Sequence, residues 1–270
     1  MDLRLSDSAA FVAGASSGLG RAVARQLLRE GCRVAICSRD QDRVSSAKQW
    51  LIQETGCPDD HVAALACDVT NEEQIQAAMT AAADHLGGIN LLVTNSGGPP
   101  TGQIDDLSAD LWRHALELNL ISTIQLSRAA LPHLRKATSA GKHASILMIS
   151  SLSAKQPIPS LYLSNVARAG VQGFAKSLSE EVGAEGITVN SILPGYTRTD
   201  RLRHLSESLN ERTGRSIEDI EADWASNSAL KRIGTEDEFA AASTFLLSPR
   251  AGFITGVALT VDGGAVKSLL

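Results

Sequence analysis

The residues of this chain that invite chemistry begin with a glycine-rich turn. Gly14-Ala15-Ser16-Ser17-Gly18-Leu19-Gly20 follows a short apolar run and opens an amphipathic stretch. Glycines permit a tight turn and let backbone approach a pyrophosphate, and the helix that follows offers N–H donors and positive dipole. The spacing is G-x3-G-x-G, not the common G-x-G-x-x-G fingerprint, and a strand-to-helix turn with no ligand looks the same. A second clue stands at the end of the next apolar run, 33–37. An acid there binds the ribose 2′-hydroxyl of NAD, whereas an Arg accommodates the 2′-phosphate of NADP. The chain has Ser38-Arg39, with no acid before Asp40. A guanidinium can grip a phosphate bidentately. NADP(H) is therefore favoured over NAD(H), a solvated loop role for Arg39 being the alternative.

The elements that position these residues show in the apolar pattern. Nearly continuous apolar runs lie at 9–14, 33–37, 61–67, 90–94, 145–150, 188–193 and 257–261. Runs without strict alternation are the mark of strands buried on both faces of a parallel sheet. Helical stretches intervene near 19–30, 40–55, 71–86, 108–136, 164–183 and 235–247. Thr70 with Glu73, and Thr235 with Glu238, have capping-box spacing and predict two helix starts. The alternation predicts an α/β fold across 1–270: a single-domain doubly wound parallel sheet, Rossmann-like, of about seven strands with helices on both faces. The polar piece 136–144 reads as a surface loop. The charged, helical piece 199–233 falls between the sixth and seventh strands. Ligands in such sheets bind beyond the carboxyl ends of the strands, so this insertion is a lid or substrate wall, or else a plain surface helical pair.

Composition narrows the field. The 270 residues carry 25 Lys+Arg against 30 Asp+Glu, net −5, with no basic stripe, which argues against nucleic-acid binding. No apolar run reaches the ~18–20 residues of a membrane span. The start of the chain lacks a charged segment followed by a long apolar one, so a cytoplasmic location is expected. Cys32, Cys37, Cys57 and Cys67 contain no CxxC pair and predict neither a disulfide scaffold nor a zinc site. The six histidines show no metal spacing, and His114, His133 and His204 read as surface residues.

Further motifs stand at the strand ends: CDVT at 67–70, TNSGG at 94–98, Pro194-Gly195 with Thr197 and Thr199, and the closing segments KRIGTEDEFAAASTFLLS and ITGVALTVDGG. In this order, over essentially the whole chain, they resemble the short-chain dehydrogenase/reductase family. That family's loop is T-G-x3-G-x-G; here Ala13 replaces the Thr. The resemblance implies a dinucleotide held by Gly14, Ser16, Ser17, Gly18, Leu19, Gly20, Ser38 and Arg39. It implies Asp68 and Val69 at the adenine, Asn95-Ser96-Gly97 in place of the family's NAG, and Pro194, Gly195, Thr197 and Thr199 after strand six. It further implies a small-molecule carbonyl/alcohol substrate and a homo-oligomer, tetramer or dimer.

The family's catalysts are Asn, Ser, Tyr and Lys. Asn119 in LELNL and Ser151 match the first two. The segment SLYLSNVARAG contains Tyr162, but Val166 stands four residues on, so no Y-x3-K exists. Thirteen residues on from Ser151, and twelve back from Lys176, both counts reach Ser164, and its i+4 partner is Arg168. The resemblance thus places Ser for Tyr and Arg for Lys on one helix face, as in a divergent branch similar to the 3-oxoacyl-(acyl carrier protein) reductases. An aliphatic hydroxyl is a weaker acid than a phenol, and a guanidinium holds charge without shuttling a proton. Three substitutes for the missing acid are open: Tyr162 swinging inward, a water held by Ser151 and Ser164, or Lys155. Each has a plainer reading: packing for Tyr162, a helix N-cap for Ser164, a solvated loop for Lys155 and a satisfied buried amide for Asn119. Two functions follow. One is an NAD(P)-dependent oxidoreductase with a non-standard proton donor. The other is a cofactor-binding protein that has lost the chemistry and serves as sensor or scaffold.

Overall fold

In the computed structural model, which describes residues 1–269, the apolar runs pair into one sheet of seven parallel strands. Leu270, the last residue of the expected domain, lies outside the described residues. The strands are β1 (Ala9–Val12), β2 (Arg33–Ser38), β3 (Val62–Ala66), β4 (Leu91–Thr94), β5 (Ala144–Ile149), β6 (Ile187–Pro194) and β7 (Ala258–Val261). Their order is β3-β2-β1-β4-β5-β6-β7. The helices are α1 (Gly18–Arg29), α2 (Gln41–Thr55), α3 (Glu72–Leu86), α4 (Ala109–Leu116), α5 (Ser122–Ser139), α6 (Tyr162–Val182), α7 (Asp200–Thr213), α8 (Ile217–Asn227) and α9 (Glu236–Leu247).

The lack of alternation along the strands has a direct cause, since each face has its own core. On β1, Ala9 and Phe11 join a cluster with α3, α5 and α6, while Ala10 and Val12 join one with α1, α2 and α9. Successive side chains point to opposite faces, so a strand covered on both must be apolar throughout. The chain leaves β1 for β2 and β3 on one side, then returns to β4 on the other. The crevice therefore opens beyond the ends of β1 and β4, the usual ligand position in such sheets.

Several expectations are corrected. β1 stops at Val12 because Gly14 turns with φ +58°, a left-handed conformation that glycine adopts without strain. The N-cap of α3 is Asn71, whose side chain accepts the Gln74 N–H, while Thr70 is turned to Asp68 instead. The Thr235–Glu238 box forms as expected, each side chain accepting the other's backbone N–H. The stretch 108–136 is not one helix: a π-turn, Glu117–Ile121, separates α4 from α5. The loop expected at 136–144 shrinks because α5 continues to Ser139. Ser164 is not an N-cap, since α6 begins at Tyr162 with Leu161 in the cap position. The piece 199–233 forms α7 and α8, with a small core of Ile220, Trp224 and Ile233 against Tyr196, Leu202 and Leu209. No helix among the described residues is long and apolar enough to cross a membrane.

Candidate functional site

A cavity of about 890 Å³ runs along the carboxyl ends of the strands. At its centre the glycine turn is built by close approach. A β-carbon at Gly14 would lie 2.8 Å from the Asn95 carbonyl oxygen, and one at Gly20 would lie 2.6 Å from the Gly14 oxygen. Asn95 Nδ2 donates to the Gly14 oxygen at 2.9 Å and ties the loop to the end of β4. Helix α1 differs from α2 and α3, which are capped by Asp40 and Asn71: its N-cap, Ser17, makes no side-chain capping bond, and no acid occupies the first turn. Its leading N–H groups and positive end are thus left for an anion, and Ser16, Ser17, Gly18 and Leu19 line the cavity there.

Towards β2 the cavity is lined by Ser38, Arg39, Asp40 and Arg43. Arg39 and Arg43 are exposed, and neither guanidinium has a hydrogen bond or ion pair among the described residues. Asp40 is occupied otherwise, accepting the Arg43 N–H as the cap of α2. Arg43 was not singled out from sequence; a cation in the first turn of the helix after Arg39 was the available signal. Cys67 and Val69 line the adjoining wall. Asp68, expected at the adenine, is not itself in the lining: Thr70 donates to its Oδ1 from both N (3.0 Å) and Oγ1 (2.8 Å).

The other end gathers Ser96, Gly97, Ser151, Ser164 and Arg168 with Pro194, Gly195 and Thr197, while Thr199 lies against Gly18 of the glycine turn. Asn119 is fully buried behind this wall. Its Nδ2 donates to Ser96 Oγ and the Gly97 oxygen, each at 2.7 Å, and its Oδ1 finds no partner among the described residues. The π-turn presents this amide, and π-turns often mark functional positions. Ser151 Oγ accepts the Ser153 N–H at 3.1 Å, and Ser153 Oγ lies 3.3 Å from Ser164 Oγ. Ser153, buried and unforeseen from sequence, thus links the two expected serines. Arg168 is buried, with Nη1 donating to the Ile149 oxygen at 3.0 Å. Burial and the nearby Arg201 charge pull its pKa down to about 10, so it remains a cation at neutral pH.

Two expected substitutes lie elsewhere. Tyr162 is 40% exposed at the start of α6, and neither it nor Lys155, which is exposed, lines the cavity. A residue two positions before Ser164 faces about 200° away around the helix, which accounts for Tyr162. The cavity does hold a tyrosine that sequence reading passed over, Tyr196, stacked on Trp224 of α8 with ring centroids 5.2 Å apart. Burial raises its pKa. No group of three or more His, Cys, Asp or Glu among the described residues could hold a metal ion.

The residues fit a nicotinamide dinucleotide. The cradle is one that added β-carbons would fill, the α1 N-terminus is uncapped, and two unpaired arginines flank it. Comparison with known proteins agrees. A family model described as enoyl-(acyl carrier protein) reductase matches residues 14–266. The chain is similar to the 3-oxoacyl-(acyl carrier protein) reductase of Vibrio cholerae, 30% identical over 262 residues, covering 97% of this chain and 98% of that one. Among solved structures it is similar to L-sorbose reductase from Gluconobacter frateurii complexed with NADPH and L-sorbose (30% identity, TM-score 0.92, 100% of both chains). It is also similar to a short-chain oxidoreductase from Pseudomonas aeruginosa PAO1 described as containing an atypical catalytic centre (33% identity, TM-score 0.88, 98% and 99% covered). The chain belongs to the short-chain dehydrogenase/reductase family of NAD(P)-dependent oxidoreductases.

Proposed function

We propose that this chain is an NADPH-dependent reductase that interconverts a carbonyl and an alcohol on a small molecule. It resembles the 3-oxoacyl-(acyl carrier protein) reductases but uses serine hydroxyls where they use a tyrosine. The observation that carries this reading is one cavity lined by the glycine cradle, by Arg39 and Arg43 towards β2, and by Ser151, Ser164 and Arg168 at the other end. The NADPH held by the Gluconobacter reductase supports the cofactor choice. The engagement of Asp40 as a helix cap supports it too, because no acid is then free for a ribose 2′-hydroxyl; NAD(H) is the lesser alternative.

When bound, NADPH supplies a hydride to the carbonyl carbon. The Gly14–Gly20 turn and the α1 N-terminus hold its pyrophosphate, and Arg39 and Arg43 hold the 2′-phosphate. Ser151 and Ser164 donate hydrogen bonds to the substrate oxygen. As that oxygen gains negative charge, Ser164 Oγ passes it a proton and recovers one from water; Ser153 keeps the two hydroxyls in register. Transfer between two aliphatic hydroxyls is close to isoenergetic, so a weak acid suffices once the charge is stabilised. Arg168 provides that stabilisation from a buried position, where a fixed charge acts strongly. Asn119 keeps Ser96 and Gly97 in place. The chain is read as one cytoplasmic domain, with α7 and α8 as the substrate wall. Leu259 in the edge strand β7, with Val257 and Phe253 just before it, is exposed, and these apolar side chains support a homo-oligomer, dimer or tetramer.

The test is NADPH oxidation by the purified protein across a panel of aldehydes, ketones and 3-oxo thioesters. Ser164→Ala should lower turnover by about 10²-fold with NADPH affinity retained, and Tyr162→Phe should do little. A large loss in Tyr162→Phe would mean that the tyrosine is the acid after all. A second reading, a cofactor-binding sensor or scaffold, is favoured by the exchange of both Tyr and Lys. Tight NADPH binding without turnover of any carbonyl would select it.

A further inference from the structure

Arg201 breaks a local rule without any compensation visible in the fold. It stands in the first turn of α7, at the positive end of the helix dipole, where a cation is disfavoured. It makes no hydrogen bond or ion pair among the described residues, although acids abound nearby on α7 and α8. Its guanidinium fills the space that a β-carbon at Gly98 would occupy. It lines the same cavity as Arg168 and is close enough to depress that residue's pKa. Desolvation lowers its own. Among the described residues the only acids in the cavity lining are Asp40, which caps α2, and Asp200, which pairs with Arg203. Two cations and a helix N-terminus therefore face one space with no free carboxylate to balance them. Such an arrangement favours an anion shared between them.

The position adjoins the cofactor cradle, since Thr199, the N-cap of α7, packs against Gly18, but the Arg201 guanidinium itself reaches Gly98. Gly98 begins the segment that leaves the Asn95–Gly97 turn and runs to Gly102, which bridges to Leu161 at the start of α6 and donates to the Ser160 oxygen at 3.0 Å. Arg201 thus overlies the start of the stretch that leads to the Ser164 and Arg168 helix, and its charge reaches Arg168. We infer that Arg201 is a specificity residue for an oxyanionic group, carboxylate or phosphate, carried by the carbonyl substrate itself. This rests on the reductase reading and narrows it to acidic carbonyl compounds. Arg168 contributes field at the carbonyl oxygen, and Arg201 on the lid grips the substrate's acidic end, so that α7 settles on the cavity when the correct substrate is present.

The test uses the full chain saturated with NADP⁺ and measures binding by calorimetry for matched pairs: acetoacetate against methyl acetoacetate, and dihydroxyacetone phosphate against dihydroxyacetone. The charged member of at least one pair should bind about ten- to a hundredfold more tightly, and which pair does so identifies carboxylate or phosphate. Arg201→Met should erase that preference, and Arg201→Lys should restore part of it. Gly98→Ala, which displaces the guanidinium without removing it, should also weaken it. NADPH affinity, titrated separately by fluorescence, should change less than about twofold in Arg201→Met. Equal binding of charged and neutral members, or a preference that survives Arg201→Met, overturns the inference even if neutral ketones are reduced. A large loss of NADPH affinity in Arg201→Met overturns it too, by making Arg201 a cofactor contact. An intact preference in a protein that reduces nothing supports the inference and sinks the reductase reading instead.

Discussion

Removing the charge at the β2 end of the cavity should change which dinucleotide the protein holds, and the size of the change follows from exposure. Arg39 and Arg43 both line the cavity, both are exposed, and neither spends its guanidinium on a protein partner among the described residues. A hydrogen bond to a charged group contributes about 1.5–3 kcal/mol, and solvent around these side chains places each near the lower figure. Arg39→Ala should then weaken NADPH binding roughly tenfold. The double variant Arg39→Ala/Arg43→Ala should lose about 2–3 kcal/mol, roughly 30- to 150-fold, because two groups sharing one phosphate are not strictly additive. NADH lacks that phosphate and should keep its affinity within about twofold in every variant. The NADPH advantage should also shrink as salt rises, since exposed charges are screened beyond about 10 Å at 0.1 M. Fluorescence titration of both dinucleotides at two ionic strengths reads all of this. Parallel losses for NADPH and NADH, or no loss in the double variant, would refute the assignment of the 2′-phosphate to this pair.

Two helical glycines should respond in opposite ways. Gly20→Ala puts a β-carbon against backbone, 2.6 Å from the Gly14 oxygen, and should cost about 1–3 kcal/mol together with most NADPH affinity; Gly173→Ala, with nothing within 4 Å, should stabilise α6 by up to about 1 kcal/mol in a denaturant melt. The capping box of α9 predicts a pH signature. Arg232 first, then the Thr235 N–H, hold the Glu238 pKa down to about 2. A depressed carboxylate pKa stabilises the fold above the ordinary value of about 4.3, and that stabilisation fades as pH falls towards 2. Glu238→Gln should therefore lower Tm at neutral pH and converge with the parent protein near pH 2; a constant gap across that window would contradict the assigned cause.

Much of the architecture was legible because the signals are local. An apolar strand needs no partner to declare that both faces are buried, so the seven runs and their alternation with helices yielded the parallel sheet. Gly14, Gly18 and Gly20 announced a tight turn by type and spacing alone. Ser164 and Arg168 lie four residues apart, and helical geometry places such pairs on one face wherever the helix packs. Boundaries were less secure. Thr70 and Asn71 both offer a side chain to the start of α3, and only the Asp68 carboxylate, which draws Thr70 away, decides between them. The π-turn that sets Asn119 behind the Ser96–Gly97 wall has no period that a sequence pattern reveals.

What a cavity contains depends on how distant loops are carried past one another, and no local periodicity encodes that. Tyr162 and Lys155 lie close in sequence to Ser151 and Ser164, yet the rotation of α6 and the path of the preceding loop leave both outside the cavity. Ser153, Tyr196 and Arg201 looked ordinary in the chain; packing of the turn after β5 against α6 set Ser153 between the two serines, and the fold of α7 and α8 over the strand ends brought Tyr196 and Arg201 to the cavity. Sequence alone determined the sheet, the glycine turn after the first strand and the placing of Ser164 and Arg168 on one helix face. Only the tertiary structure decided that a buried Ser153 joins the two serines and that an unpaired Arg201 completes the wall above Gly98. Elements follow from the near-neighbour pattern of side chains, whereas a site follows from the three-dimensional meeting of residues that the pattern treats as strangers.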